Sequence, residues 1–138
     1  MKVAAQILKQ KSRLILLGGV LLFCTVPLQA QESTAGKTVS QKKFQRLMKK
    51  KNTVLLDVRS TDEYKDGHIP GALQIDVLIR EDFKKQVATL DKGKRYLVYC
   101  RSGKRSKEAM ELMKGSGFTK LYDLEGGFSK WIREKDLK

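Results

Sequence analysis

The 138-residue chain is short of several residue types, and each shortage removes a class of protein. It has one histidine, His68, and two cysteines, Cys24 and Cys100. That is too few for a zinc or other metal cluster, and no Cys–His pair stands out at useful spacing. Two prolines and no low-complexity tract exclude a linker-like or collagen-like chain. No phosphate loop or dinucleotide fingerprint is present. The longest apolar run, LILLGGVLLFCTV at residues 14–26, is 13 residues long. A membrane-spanning helix needs about 20. Acids are also scarce, 15 against 29 lysines and arginines, for a net charge of +14.

What is present reads as a soluble globular protein, with 41% apolar and 32% charged residues. Residues 1–30 carry four cations (Lys2, Lys9, Lys11, Arg13), no acid and the 13-residue apolar run. This is the layout of a secretory signal, and Ala30 supplies a small residue for cleavage. The expectation is a cleavable signal over 1–30, a flexible segment over 31–37 and a single domain over 38–138. Export across the inner membrane would place the domain in a bacterial periplasm. An uncleaved anchor is the alternative. Cleavage after Ala30 removes Cys24 and leaves Cys100 as the one thiol, so no intramolecular disulfide can form.

Without the first 30 residues the balance is 25 cations to 15 acids, or +10. The basic character therefore belongs to the domain. It suits small anions better than nucleic acid, because no recognition-helix pattern or aromatic-interleaved basic stripe accompanies it. Lys49, Lys50 and Lys51 read as a solvated helix end, where cations complement the helix dipole.

Periodicity predicts strands and helices in alternation. Phe44, Leu47 and Met48 mark a helix that Ser40 can cap. Continuous apolar runs at residues 53–58 and 95–99 read as strands buried on both faces. Shorter strands are expected at 72–75 and 120–124, and helical segments at 61–65, 81–90 and 106–114. A short final helix should carry Phe128, Trp131 and Ile132. Alternation of this kind predicts an α/β fold with a central parallel sheet and helices on both faces. Functional groups in such sheets gather at the carboxyl ends of strands.

Cys100 stands at one such end. The stretch Tyr96-Leu97-Val98-Tyr99-Cys100-Arg101-Ser102-Gly103-Lys104-Arg105-Ser106 takes a buried strand through a cysteine into a polar loop and a helix. Gly103 permits a turn that other residues resist. A loop curling into a helix N-terminus aims backbone N–H groups at one spot. Those donors, with Arg101, Lys104 and Arg105, favour thiolate over thiol, and the thiolate is the nucleophile. A small buried cysteine at a strand end is the plainer reading. Three adjacent cations argue against it, since an inert thiol does not repay their desolvation. Asp57 and Arg59 follow another strand end and either face this site or pair to order the loops. Glu63 suits a capping role. Phe128 and Trp131 either floor a pocket or pack in the core. His68 reads as a loop hydrogen-bonding residue.

The loop from Cys100 to Ser106 resembles the active loop of single-domain rhodanese-like sulfurtransferases. Leu56-Asp57-Val58-Arg59, Glu63-Tyr64 and Gly67-His68-Ile69-Pro70-Gly71-Ala72 resemble the N-terminal signature of that family. Leu124-Glu125-Gly126-Gly127-Phe128, followed by Trp131, resembles its C-terminal end. The likeness runs from about residue 38 to 135. It implies a rhodanese-like fold and a thiosulfate sulfurtransferase activity through a Cys100 persulfide. It also implies a donor cradle formed by Arg101, Ser102, Gly103, Lys104 and Arg105. Asp57 and Arg59 would support the loops from behind as an ion pair. The donor would be a small anion such as thiosulfate or polysulfide. The acceptor would be an external thiol or cyanide, since no second thiol remains in the chain. No cofactor, metal or nucleic acid is implied, and a monomer is the default. Related phosphatases and arsenate reductases use a loop one residue longer, with arginine six positions after cysteine. Here that position holds Ser106, and the arginine is Arg105, five positions on. A relay module that passes persulfide to one partner protein is the other reading.

Overall fold

A computed structural model describes residues 36–131. The segment read as an export signal, residues 31–35 of the polar stretch after it, and Ile132 lie outside the described residues. The elements run β1 (Lys37–Val39), α1 (Gln41–Met48), β2 (Thr53–Asp57), α2 (Thr61–Asp66), β3 (Leu73–Gln74), α3 (Arg80–Ala88), β4 (Arg95–Tyr99), α4 (Lys104–Gly115) and β5 (Leu121–Leu124). A 3-10 turn over Phe128–Lys130 follows.

All four strand pairings are parallel, in the order β1-β5-β4-β2-β3. The sheet has helices on both faces, as the alternation predicted. Strand residues alternate between two cores. Leu56, Tyr96, Val98 and Leu121 point to one face, where Phe83 and Val87 of α3 and Ala109, Met110 and Met113 of α4 cover them. Leu55, Leu97, Tyr99 and Leu124 point to the other, against Phe44 of α1, Tyr64 of α2, Phe128 and Trp131. β4 lies at the middle of the sheet and is buried on both faces, which explains its unbroken apolar sequence.

The sheet has one strand more than the sequence predicts. Lys37, placed above in a flexible segment, begins β1 and pairs with Tyr122, and the Gly36 N–H donates to Leu121 O at 3.2 Å. Only Val39 of the three residues is buried, so the strand carries no apolar run to announce it. Its ladder on β5 holds it in place. The helix after the cysteine loop also starts earlier than predicted. It begins at Lys104 behind Gly103, so Lys104 and Arg105 form its first turn. Ser40 sits at the N-cap of α1 without a side-chain cap bond, whereas Ser60 and Glu63 form a full capping box on α2.

Candidate active site

The central strand β4 ends at Tyr99 and delivers Cys100 to the carboxyl edge of the sheet. The chain then turns through Arg101, Ser102 and Gly103 and enters α4. Gly103 has φ +105, a conformation that glycine adopts without the strain of a Cβ. Its N–H donates to Cys100 Sγ at 3.1 Å. The Ser106 hydroxyl, inside the first turns of α4, lies 3.5 Å from the same sulfur. Cys100 itself is 1% exposed.

The loop is held open from its far side. Phe128 N–H donates to Cys100 O at 2.8 Å, and Ser129 N–H donates to Arg101 O at 3.0 Å. Both carbonyls are thereby turned away from the sulfur. This docking requires a very close approach at Gly127, where φ is +62 and a Cβ would lie 2.5 Å from Arg101 O. The paired glycines of the sequence are thus a packing device under the cysteine loop as well as a turn.

The five residues read as a donor cradle do not behave alike. Arg101, Ser102 and Lys104 are exposed at the rim, and neither Arg101 nor Lys104 has an ion-pair partner among the described residues. Arg105 is instead committed to Glu63, with Nη1 to Oε2 at 2.6 Å and Nη2 to Oε1 at 2.7 Å. This fork, with hydrogen bonds from Ser60, holds the Glu63 carboxyl down to about 2. Glu63 therefore caps α2 and ties it to the first turn of α4.

Asp57 and Arg59 form the buried pair expected of them. Arg59 Nη2 donates to Asp57 Oδ2 at 2.6 Å and to Gly67 O at 2.8 Å. Burial opposes the Arg59 charge, but Asp57 more than offsets this and the guanidinium stays charged. It also lies 4.3 Å from the Phe128 ring centroid, an arrangement suited to cation–π attraction. Tyr99 is buried beside it, and its hydroxyl accepts from Ile69 N–H at 3.1 Å. His68 stacks on Tyr64, and its Nδ1 lies 2.9 Å from Tyr64 O, which requires the proton on Nδ1. Trp131 packs edge-on against Phe44.

A cavity of about 340 Å³ opens beside the loop, lined by Arg59, Glu63, Asp66, Gly67, Arg101, Phe128 and Ser129. Phe128 thus serves both pocket and core. Cys100 is not among the lining residues; Arg101 connects the two. No group of acids, histidines and cysteines able to hold a metal occurs among the described residues.

Two polar residues of this region escaped the sequence reading. They are Ser106, at the end of the cysteine-loop motif, and Asp123 of β5. Ser106 Oγ lies 2.6 Å from Asp123 Oδ1, and Asp123 is 1% exposed. The available signal was an acid inside an otherwise apolar strand, Leu121-Tyr122-Asp123-Leu124.

The single cysteine among the described residues, at the end of a central parallel strand and wrapped by a basic loop that enters a helix, is an arrangement suited to cysteine-based group transfer. The rhodanese-like domain model matches residues 40–134, and the chain belongs to that sulfurtransferase family. The thiosulfate sulfurtransferase GlpE of Coxiella burnetii is 34% identical over 95 residues, which cover 69% of this chain and 86% of that protein. A tRNA uridine(34) hydroxylase of Buchnera aphidicola is 31% identical over 122 residues, covering 86% of this chain. The match spans only 39% of that hydroxylase. Among solved structures, a rhodanese-related protein of Thermoplasma volcanium aligns with a TM-score of 0.61 at 28% identity, over 71% of this chain and 92% of that one.

Proposed function

We propose that this protein is an exported sulfurtransferase in which Cys100 carries a sulfane sulfur from a small anionic donor to an external acceptor. The observation that carries this reading is the Cys100 sulfur, held by the Gly103 N–H at 3.1 Å in a loop rimmed by the exposed cations Arg101 and Lys104. The Cys100 thiolate attacks the outer sulfur of a donor such as thiosulfate. An Sγ–S bond forms, the donor S–S bond breaks, and sulfite leaves with the bonding pair. A cyanide or thiolate acceptor then attacks the outer sulfur, and the Cys100 thiolate is the leaving group. The Gly103 N–H stabilises charge on sulfur in both steps. Arg101 and Lys104 draw in the anionic donor. The cavity beside Arg101 offers space next to the loop for the acceptor.

The Arg105–Glu63 fork supports sulfur over phosphoryl transfer. A phosphoryl-binding loop needs its arginine free for equatorial oxygens. Here one N–H of each Arg105 Nη is committed to Glu63, which fixes the guanidinium against α2. Export rests on the charge and apolar pattern of residues 1–30.

The test is the intact mass of the purified protein before and after brief thiosulfate treatment. The expected result is a gain of one sulfur atom, removed by cyanide and absent in Cys100→Ser. No gain on reduced, alkylatable Cys100 removes thiosulfate as donor, and a gain that persists in Cys100→Ser removes Cys100 as carrier. Protein recovered from the secreting host should begin at Gln31.

A further inference from the structure

Asp123 is an acid buried to 1% exposure, and the sulfur-transfer steps leave it without a role. A carboxyl group in that position is costly unless it is well bonded. Its Oδ1 lies 2.6 Å from Ser106 Oγ, and its Oδ2 accepts from Thr38 Oγ1 of β1 at 3.2 Å. Ser106 Oγ is in turn 3.1 Å from Gly103 O and 3.5 Å from Cys100 Sγ. A hydroxyl has one hydrogen to give, and three acceptors surround this one.

An ionised Asp123 is the strongest of the three and takes the hydrogen. Ser106 then turns lone pairs towards sulfur. A thiol can donate to them, but a thiolate is repelled. The carboxylate charge, two hydrogen bonds from the sulfur, acts in the same direction. A protonated Asp123 reverses this. It donates to Ser106 Oγ, whose own hydrogen is freed for the sulfur or for Gly103 O.

We propose that Asp123 is a positioning residue that acts through Ser106 to set how readily Cys100 gives up its proton, disfavouring the thiolate while Asp123 is ionised. The proposal rests on the sulfur-transfer reading only in taking Cys100 as the working sulfur. Its use there is protection, because a thiol resists oxidation better than a thiolate between turnovers.

Other charged groups lie around this trio. Burial pushes the Asp123 carboxyl up, against the hydrogen bonds from Ser106 and Thr38 and the charge of Lys107 on α4. Arg105 is paired with Glu63 of α2, and its charge is also felt by Cys100, where it favours the thiolate against Asp123, and by Asp76 before α3. Asp57, the last residue of β2, is neutralised by Arg59. None of these groups hydrogen-bonds to Ser106, which leaves Asp123 as the acid that commands its hydroxyl.

The experiment is the pH dependence of iodoacetamide alkylation of the full chain, read at Cys100 by peptide mass. It needs no sulfur donor, so it stands or falls separately from sulfur transfer. Asp123→Asn keeps the shape of the side chain and removes its charge. It should alkylate about 3- to 10-fold faster than the native protein at pH 7 and reach the same plateau at high pH. In a Ser106→Ala background the same substitution should change the rate less than about twofold. Thr38→Val, which removes a donor that steadies the ionised carboxylate, should accelerate alkylation by a smaller factor. It also serves if Asp123→Asn does not fold. Superposed pH curves for the native protein and the folded variants overturn the proposal. An equal acceleration with and without Ser106 overturns the route through that hydroxyl.

Discussion

Much of the chemistry depends on single atoms placed by backbone rather than by side chain. Cys100 meets the Gly103 N–H because φ +105 at Gly103 turns that peptide inward. The neighbouring carbonyls turn outward because Phe128 and Ser129 N–H groups hold them. Gly127 makes this second contact possible. Gly127→Ala places a Cβ 2.5 Å from Arg101 O and 2.6 Å from Cys100 O, at φ +62. Backbone must move, at a cost of about 2–4 kcal/mol in stability. Denaturant unfolding should show that loss. Sulfur loading should fall with it, even in the variant molecules that remain folded, because the loop carbonyls lose their donors. A variant as stable and as active as the native protein would show that the 3-10 turn does not shape the loop. The sequence made Cys100 legible because a thiol between a buried strand and three cations has few other uses. It did not reveal Asp123, since an acid's burial depends on Ser106 and Thr38, which are 17 and 85 residues away in the chain.

Among the elements, the junction of α2 and α4 carries the clearest electrostatic signature. Glu63 closes the capping box of α2 and accepts both Nη atoms of Arg105, so a six-residue helix is fastened to the helix that carries the active loop. Its carboxyl is held down to about 2, from an ordinary 4.5, chiefly by Arg105. A depressed carboxyl stabilises the fold above its unfolded value and loses that contribution as pH falls through its folded value. The native protein should therefore lose stability as pH falls from about 4.5 towards 2. Glu63→Gln should be about 1–2 kcal/mol less stable at neutral pH, the half-buried fork being partly screened. Its stability should also fall less steeply across that acid window. Parallel acid-denaturation curves for the two proteins would show that the fork contributes nothing. The strands and helices with apolar runs or faces were legible from periodicity. β1 was not, because its stability comes from pairing with β5 rather than from its own three residues.

At the scale of the whole molecule, the net charge bears on how the proposed anionic donor is captured. The net charge is +14, or +10 without the first 30 residues, and Arg101 and Lys104 place part of it at the mouth of the loop. A small anion is attracted to such a surface, and salt weakens the attraction as the Debye length falls from about 30 Å at 0.01 M to about 8 Å at 0.15 M. Loading from thiosulfate should therefore slow about 3- to 10-fold between those ionic strengths. Alkylation of Cys100 by iodoacetamide, a neutral reagent, should hardly change over the same range, which excludes a salt effect on the fold or the thiol. Lys104→Gln should flatten the salt dependence of loading while leaving the alkylation rate nearly level, because Lys104 lies at the rim without an ion-pair partner among the described residues. Arg105→Gln should flatten it less and destabilise the fold more, since that charge is already paired with Glu63. If salt slows loading and alkylation equally, the charge acts on the cysteine itself. If it slows neither, the basic surface serves something other than the donor.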